Sequence, residues 1–335
     1  MKRRWIYWLL IAAFIWIVAS RFGEITELSA TLAKGHYQWL LVAVGLQILH
    51  YVVSSASYRT AFSTVGVESR VRDLFPLLFG AMFVNVVAPT GGASGAALIV
   101  DHTARRGQSP SRAAAGILLQ LIVSLMAFTL ILIAGLTYLG MMKHLESYEL
   151  GAAGILVFTV VLAAGILMLA GRYPEVLKRL LAWIQRSLNG LVQKVRNVTL
   201  ISDEWVEKQG SDFIEAASAI TTNPRGMIIT LGMLLLAYVI NIAGMYTLFL
   251  AFNQVVPIGS LVAGYTIGIL FLIVSFTPQG IGVVEGIMPL VFSSLGVPNV
   301  PATLTVLAFR GLSLWLPLVI GFLLLRWTGV FKNKT

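Results

Sequence analysis

Apolar residues along the chain gather into eight long runs that short polar segments separate. A helix that crosses a membrane needs about 20 mainly apolar residues, and all the runs but the first reach that length. The pattern therefore predicts an all-α, polytopic integral membrane protein. The runs are residues 5–20, 38–58, 74–100, 113–140, 150–170, 226–252, 258–295 and 302–326.

The composition also favours a lipid environment. Of 335 residues, 58% are hydrophobic and 11% are charged, whereas soluble domains carry about 25% charged residues. The absence of cysteine excludes disulfides and thiol catalysis, and the four histidines lack metal-ligand spacing, so we expect no metal and no cofactor. The net charge of +10 does not indicate nucleic-acid binding, because the basic residues lie in short gaps between apolar runs.

The distribution of Lys and Arg predicts the orientation, because these residues are enriched in cytoplasmic loops. Basic residues 2–4 place the N-terminus in the cytoplasm, and the Trp- and Tyr-rich run 5–20 after them favours an uncleaved anchor over a cleaved signal peptide. Segments 59–73 and 101–112 hold three arginines each, and both are predicted to be cytoplasmic. The run between them, 74–100, must therefore return to the face that it entered from.

Two runs are predicted to be broken hairpins rather than single spans. The first, 74–100, is broken at Pro89-Thr-Gly-Gly. The second, 258–295, is flanked by uncharged segments, enters from the opposite face and is broken at Pro278-Gln-Gly-Ile-Gly. Counting crossings back from the basic C-terminus also places that end in the cytoplasm. The predicted fold has about six full spans plus two broken or re-entrant hairpins.

An offset of 189 residues superposes the two breaks, with Pro89 on Pro278 and Gly91 on Gly280. It also aligns the six arginines that flank the first hairpin with stretches that contain no Lys or Arg. Because opposite orientation reverses this charge bias, we predict two inverted repeats. Within one transmembrane domain, 1–335, the predicted parts are an N-terminal anchor and outer loop at 1–37, repeat 1 at 38–140, a linking span and cytoplasmic amphipathic segment at 141–225, and repeat 2 at 226–329.

Broken helices in inverted repeats are typical of transporters, whose substrate site lies where the broken elements meet. Each break frees backbone N–H and C=O groups that lipid cannot satisfy, so the break must face protein or a water-filled cavity. The alternative is that Pro and Gly only kink the spans and permit close helix packing.

Glu285 and Arg310 are the charged residues predicted to remain at membrane depth. Arg310 lies about 12 Å along its helix from Ala302, which is too deep for easy contact with water. A charge at such depth is normally paired or faces a cavity, and Glu285 beside the second break is the predicted partner. Two interpretations stay open: a structural ion pair, or an arginine whose donor fork binds the phosphate of an anionic head group.

The other candidates for substrate contact lie at the breaks or among polar residues of the spans. Backbone N–H groups freed at the breaks would add donors to Arg310, and Asn85 is predicted to cap a broken helix. Gln120 falls within one residue of the repeat position of Arg310; like Gln47 and His50, it also suits a hydrogen bond between helices. The predicted substrate-binding residues are Arg310, Glu285, Gly280, Gly282, Pro278, Pro89, Gly91, Gly92, Asn85 and Gln120, and no catalytic or metal-binding residue is predicted.

The second break with its flanks, Pro278-Gln-Gly-Ile-Gly-Val-Val-Glu285-Gly, together with Arg310, resembles the signature of the lysylphosphatidylglycerol synthase transmembrane-region family of flippase-like membrane proteins. Pro89-Thr-Gly-Gly followed by Arg106-Gly-Gln-Ser resembles the first-half motif of that family. The similarity covers nearly the whole chain.

The resemblance implies a region that moves aminoacylated lipid between leaflets, which a soluble aminoacyl-transferase domain follows in the full-length synthases. Synthesis is not implied for a chain that stops at Thr335. The chain departs from the family at Gln120-Leu121, where many members carry an acidic residue and an arginine. Glu285 with Arg310 is therefore the principal charged site that we expect.

We expect a translocator that moves an anionic or phosphate-bearing lipid across the cytoplasmic membrane by alternating access of the two repeats. The alternatives are a secondary transporter of a small anion and a non-catalytic membrane subunit of a lipid or glycolipid synthesis system. An enzyme is not expected, because the membrane interior offers one carboxylate and no acid pair, Ser-His pair or metal cluster. The expected partners are membrane lipids with anionic head groups and a lipid-synthesis enzyme.

Overall fold

All described secondary structure of the protein is helical, and no strand occurs among the described residues. The structure is a computed structural model that describes residues 33, 35–88, 90, 92–142, 147–172, 218, 223–275 and 277–327. It confirms the predicted all-α fold. The predicted N-terminal anchor, the amphipathic segment and the basic C-terminal end lie outside these residues.

The first predicted repeat folds as a long helix, a helical hairpin and a second long helix. Helix α1 spans Tyr37–Thr64, and α4 spans Pro110–Met141. Between them, the apolar run 74–100 forms two helices, α2 at Val71–Val87 and α3 at Ala93–Arg105. The predicted break in this run is confirmed.

The second predicted repeat has the same order of elements, and its apolar run 258–295 is likewise divided into two helices by a short 3-10 turn. A linking helix, α5, precedes it at Ser147–Arg172. The elements of this half are α6 at Pro224–Ala251, α7 at Ile258–Val274, the 3-10 turn at Pro278–Gly280, α8 at Val283–Ser294, α9 at Asn299–Arg310, a π-helical turn at Gly311–Trp315 and α10 at Leu316–Trp327.

The local sequence explains where two of the long helices begin. Ser109 stands before α4, and its hydroxyl accepts a hydrogen bond from the backbone N–H of Arg112 at 3.4 Å. Asn223 stands before α6, and its side-chain oxygen accepts from the N–H of Gly226 at 3.2 Å. In both helices proline follows the cap, at the first helical position, where its missing N–H costs nothing.

The last apolar run departs from the expectation of one continuous helix. Directly after Arg310 the chain makes the π-helical turn, and then continues as α10. Single π-helical turns inside helices are frequent at functional sites, because they change which side chains share a helix face. Here Arg310 and Ser313 both line the central cavity described below.

Within the described residues, four stretches of helix are long and apolar enough to cross a membrane: α1, α4, α6 and the α9–α10 unit over 299–324. The hairpin helices have 17, 13, 17 and 12 residues, fewer than the about 20 that a crossing needs, which favours re-entrant hairpins. Large apolar side chains stand exposed along α1, α4, α5 and α6, as expected for surfaces in contact with lipid.

Helices α1 and α6, which open the two predicted repeats, pack against each other at the centre. Around this pair α2 packs on α10, and α7 packs on α4, so each hairpin contacts the last helix of the other repeat. Gly321 permits the contact between α2 and α10, since a Cβ there would collide with the carbonyl oxygen of Phe79. This exchange of partners is what a two-fold relation would produce; the repeat boundaries and the inversion stay predictions.

An ion pair joins the two ends of the first hairpin outside the four membrane-spanning units. Arg106, directly after α3, donates from Nη1 to Oδ2 of Asp73 in the first turn of α2 at 2.7 Å. This hydrogen bond from the Arg106 guanidinium holds the pKa of the Asp73 carboxyl below its usual range. The pair therefore holds the start of α2 and the end of α3 together.

Candidate functional site

The break in the second hairpin is built from backbone conformations that most residues avoid. Gln279, Gly280 and Gly282 have positive φ angles of 54°, 65° and 84°. Glycine adopts this region without steric cost, whereas a non-glycine residue there is uncommon and strained. The strained conformation at Gln279 directs its carbonyl oxygen to Arg310, as the contacts below show.

Glu285, in the first turn of α8, caps the start of that helix. Its Oε2 accepts a hydrogen bond from the backbone N–H of Gly282, the residue before the helix, at 2.9 Å. A carboxylate in the first turn of a helix is also stabilised by the positive end of the helix dipole. The break therefore orients Glu285.

Arg310, the last residue of α9, holds this break against the last span. Its Nε donates to Oε1 of Glu285 at 2.6 Å, and its Nη2 donates to the carbonyl oxygen of Gln279 at 2.9 Å. The side chains of Arg310 and Glu285 are only 3% and 14% exposed. A charge so deeply buried is tolerated because it is paired and hydrogen-bonded, which confirms the predicted pairing.

A cavity of about 300 Å³ lies where the two hairpins and the central helices meet. Arg310 is the one charged residue among those that line it, and Glu285 lies behind it, outside the lining. The polar side chains of the lining come from α1, α4, α6, α7, the second break, α9 and the π-helical turn. They are Gln47, His50, Tyr51, Ser54, Tyr58, Gln120, Ser124, Tyr238, Asn241, Tyr265, Gln279, Arg310 and Ser313.

The guanidinium of Arg310 keeps donor capacity for a ligand. Its Nε and Nη2 are engaged with Glu285 and Gln279, whereas Nη1 has no hydrogen-bond partner among the described residues. An arginine with one edge fixed by protein and donor capacity left at a cavity is suited to bind phosphate or carboxylate oxygen.

Three further polar atoms of the lining residues are buried without a protein partner: Nε2 of Gln47, Oε1 of Gln120 and Oγ of Ser313. The Nε2 of Gln47 lies near the Tyr51 hydroxyl without hydrogen-bond geometry. An unpaired buried polar group costs about 1–3 kcal/mol, so such groups are few in folded proteins. Three of the six such atoms among the described residues line this one cavity, which favours a site for a polar ligand.

The first break is capped in a different way. Oδ1 of Asn85 on α2 accepts hydrogen bonds from the backbone N–H of Gly95, at 2.7 Å, and from the Ser94 hydroxyl, at 3.0 Å. Gly92, with φ at 94°, is the residue before α3, and Oγ1 of Thr90 accepts from the N–H of Ser94 at 2.8 Å. Asn85 therefore caps α3, the second helix of the hairpin, as the sequence predicted.

Replacing Asn85 by alanine is expected to destabilise the protein by about 1–2 kcal/mol, because the N–H of Gly95 loses its acceptor where α2 and α3 pack closely. Thermal unfolding of the purified full chain in detergent measures this change. The matched control is Gln38→Ala, which removes an exposed amide from the first turn of α1 and should unfold close to the wild type. An alanine variant as stable as the wild type would refute the capping role.

The structure brings only part of the predicted substrate-binding set to the cavity. Arg310 and Gln120 line it, whereas Asn85 and Gly92 lie in the first break and are not among its lining residues. Pro89 and Gly91 lie outside the described residues.

Three backbone N–H groups of the second break have acceptors inside the break, so these three are not free for a substrate. Pro278 and Gly280 instead shape the turn that presents Gln279 to Arg310. The pairs are Gly280 to Thr277 O, Ile281 to Pro278 O and Gly282 to Glu285 Oε2.

Several residues of the site carry no distinct signal in the sequence. Gln279 acts through its carbonyl oxygen, which every residue has, so only the positive φ angle reveals its role. Tyr51 donates from its hydroxyl to the carbonyl oxygen of Leu312 at 3.2 Å, and so ties α1 to the π-helical turn. No group of three or more His, Asp or Glu side chains able to hold a metal occurs among the described residues.

Comparison with known proteins gives the family. The model of the lysylphosphatidylglycerol synthase transmembrane region matches residues 5–321, so the chain belongs to that family. A UPF0104 membrane protein of Methanocaldococcus jannaschii is 24% identical over 322 residues, which cover 94% of this chain and 92% of the relative. A UPF0104 membrane protein of Methanothermobacter thermautotrophicus is 23% identical over 325 residues, with 95% and 92% covered. The chain is thus a multi-pass membrane protein of this family.

Proposed function

Taking this membership as the premise, we propose that the protein moves a phosphate-bearing, anionic lipid between the two leaflets by alternating access of its two repeats. The observation that carries the proposal is the position of Arg310. Its guanidinium is buried at the junction of the second hairpin and the last span, is fixed by Glu285 and Gln279, and lines the central cavity, with no described residue paired to Nη1.

The main barrier to lipid movement is the transfer of a charged head group through hydrocarbon, where an unpaired ion costs many kcal/mol. A guanidinium fixed at membrane depth lowers this barrier, because it offers the head group both an opposite charge and a hydrogen-bond donor. Glu285 fixes the guanidinium without facing the cavity, so the phosphate meets the positive group and not the carboxylate.

The size of the cavity agrees with a head group and not with a whole lipid. At about 300 Å³, it has the volume that about ten water molecules occupy in the liquid. The acyl chains would therefore stay in the bilayer while the head group passes through the protein. The exposed apolar faces of α1, α4 and α6 border that bilayer.

The remaining parts of the proposal follow from the sequence. The protein would lie in the cytoplasmic membrane with both termini in the cytoplasm, since most Lys and Arg lie on that side of the predicted topology. Transport would be downhill or ion-coupled, because the sequence has no nucleotide-binding motif. A lipid-synthesis enzyme would supply the lipid on one leaflet.

The test is reconstitution of the purified full chain in phosphatidylcholine vesicles that carry a trace of acyl-labelled phosphatidylglycerol. Dithionite bleaches the label in the outer leaflet, so the rate at which the protected fraction is lost reports translocation. We expect the protein to accelerate this loss well above protein-free vesicles. An unchanged rate would refute the proposal.

A second candidate function is transport of a small soluble anion, because a cavity of about 300 Å³ also holds a free phosphate ester. The same vesicles distinguish the two functions. Uptake of radiolabelled glycerol phosphate without movement of labelled lipid would favour the soluble-anion transporter. If the vesicles show neither activity, the remaining alternative is a non-catalytic subunit, which should then co-purify with a lipid-synthesis enzyme.

A further inference from the structure

We propose that the protein has a second anion-binding site, which holds a phosphomonoester in an open cleft between the α1–α2 loop and the end of the first hairpin. The cleft has a volume of about 800 Å³, and no residue lines both it and the central cavity. Its lining comes from the end of α1, the loop 65–70, the start of α2 and the residues after α3. The inference therefore goes beyond the proposed function and does not rest on it.

Two polar contacts hold the walls of the cleft together. Arg106 donates from Nη1 to Oδ2 of Asp73 at 2.7 Å, which joins the residues after α3 to the start of α2. The backbone N–H of Glu68 in the α1–α2 loop donates to Oε1 of Gln108 at 3.4 Å. The cleft is therefore bounded by segments that contact each other and has a defined shape.

The cleft carries a positive charge that its own carboxylates do not neutralise. Four arginines and two carboxylates line it, so its net charge is +2. Arg106 is paired with Asp73. The side chains of the other three, Arg59, Arg70 and Arg72, have no hydrogen bond or ion pair with any described residue. A phosphomonoester carries about two negative charges at pH 7 and balances this excess, whereas a phosphodiester has a single ionised oxygen.

The start of α2 adds neutral groups that suit a phosphate. Ser69 lines the cleft, and its Oγ is buried without a hydrogen-bond partner among the described residues. Helix α2 begins two residues later without a side-chain cap, and the positive end of its dipole favours an anion. A phosphate oxygen at this place would satisfy the unpaired hydroxyl, which otherwise costs stability.

Membrane orientation alone does not explain the cleft. Arginine is enriched in cytoplasmic loops, so several arginines are expected on the predicted cytoplasmic face wherever they point. Arg105 is such a residue, since it lies beside Arg106, pairs with Asp101 at 2.7 Å and is not part of the lining. The convergence of three unpaired arginines and one unpaired hydroxyl on a single cleft is what favours a binding site.

The test is calorimetric titration of the purified full chain in detergent with glycerol phosphate, dihexanoyl phosphatidic acid and dihexanoyl phosphatidylglycerol. The first two are phosphomonoesters and the third is a phosphodiester. The titrations are repeated in the double variant Arg310→Met with Glu285→Gln, which removes the charges of the central site. In that variant we expect phosphatidic acid to bind roughly tenfold more tightly than phosphatidylglycerol, because of its additional charge.

The probes also identify the source of the phosphomonoester. Comparable affinities for glycerol phosphate and phosphatidic acid would support the site and assign it to a soluble ester. Binding of phosphatidic acid alone would support the site and assign it to a lipid head group. Equal binding of phosphatidic acid and phosphatidylglycerol in the double variant, or no binding of either phosphomonoester there, would overturn the inference.

Variants of the lining locate the binding. Arg70→Gln with Arg72→Gln is expected to weaken the binding of phosphatidic acid at least roughly tenfold. The charge-matched control is Arg105→Gln with Arg225→Gln, two exposed arginines outside the cleft, and it should bind as the wild type does. Ser69→Ala, which leaves the charge unchanged, is expected to weaken binding roughly fivefold. Equal weakening by the two arginine pairs, or wild-type affinity of Ser69→Ala, would overturn the inference and indicate diffuse attraction to a basic surface.

The outcomes for this site and for the proposed function are separate. Binding of a phosphomonoester in the cleft by a protein that moves no lipid would support the site and refute the proposed function. Lipid translocation by a protein that binds no phosphomonoester would overturn the site and leave the proposed function intact.

Discussion

Replacing Arg310 by methionine is expected to reduce lipid translocation to the rate of protein-free vesicles, a loss of at least about 100-fold, because charge-assisted hydrogen bonds to phosphate are the strong ones. Methionine keeps an unbranched apolar side chain that can replace the apolar stem of the arginine in the last span. What it removes is the positive charge and the donors that meet Glu285, Gln279 and the cavity. The vesicle assay with labelled phosphatidylglycerol measures the loss.

Two further variants sharpen this result. Arg310→Lys keeps the charge but has no planar fork that can bridge Glu285, Gln279 and a ligand at once, so we expect a loss of at least about tenfold. Arg225→Met removes a basic residue from the exposed first turn of α6 and is the matched control, with wild-type transport expected. Full activity of Arg310→Met in correctly folded protein would contradict a role in phosphate binding.

Replacing Glu285 by glutamine is expected to cause the largest loss of stability, about 3 kcal/mol, because it leaves the buried guanidinium without its opposite charge. The amide has one acceptor oxygen where the carboxylate has two, so it keeps the hydrogen bond from Arg310 or the one from Gly282 and loses the other together with the charge. Thermal unfolding in detergent, followed by loss of the monodisperse peak in size-exclusion chromatography, measures this change.

The control for that variant is Glu68→Gln, which removes an exposed carboxylate from the loop between α1 and α2. A surface change of this kind is expected to alter the free energy of unfolding by less than about 0.5 kcal/mol. Equal stability of Glu285→Gln and the wild type would mean that water reaches Arg310 well enough to solvate it. The cavity would then be more hydrated than the 3% exposure of the Arg310 side chain implies.

The sequence predicts the two hairpins because their determinants are local. Proline and glycine mark each break, and arginines on both sides of the first run require its ends to lie on one face. The pairing of Glu285 with Arg310 was predictable for a related reason: only two charges remained at membrane depth, and each needs a partner there. The cap at Asn85 follows from its place one turn before the break.

The ends of helices are less predictable from hydrophobicity. The apolar run 38–58 ends six residues before its helix does, since α1 continues to Thr64 and the chain then turns at Gly66 with φ at 72°. Four of the six residues between are polar but compatible with a helix, and the hydroxyls of Ser63 and Thr64 donate to the carbonyl oxygen of Thr60. Hydrophobicity reports the lipid boundary, whereas backbone conformation sets where the helix stops.

The rest of the site depends on tertiary packing. The carbonyl oxygen of Gln279 reaches Arg310 only because a strained backbone turns it there, and the cavity gathers polar side chains that are far apart in the sequence. The π-helical turn after Arg310 breaks the regular spacing that a sequence-based assignment assumes. No pattern within one helix could show that Gln47, Gln120 and Ser313 share one cavity.

The central claim is that Arg310 binds the phosphate of the transported lipid and does not only pair with Glu285. The most direct measurement is lipid translocation by the double variant Arg310→Met with Glu285→Gln, alongside its thermal unfolding. Removal of both charges eliminates the ion pair without leaving an unpaired ion, and such replacements are often neutral or stabilising. We predict a protein that unfolds close to the wild type and moves no phosphatidylglycerol above protein-free vesicles. Wild-type translocation by the double variant would contradict the account and leave Glu285 and Arg310 as a structural ion pair.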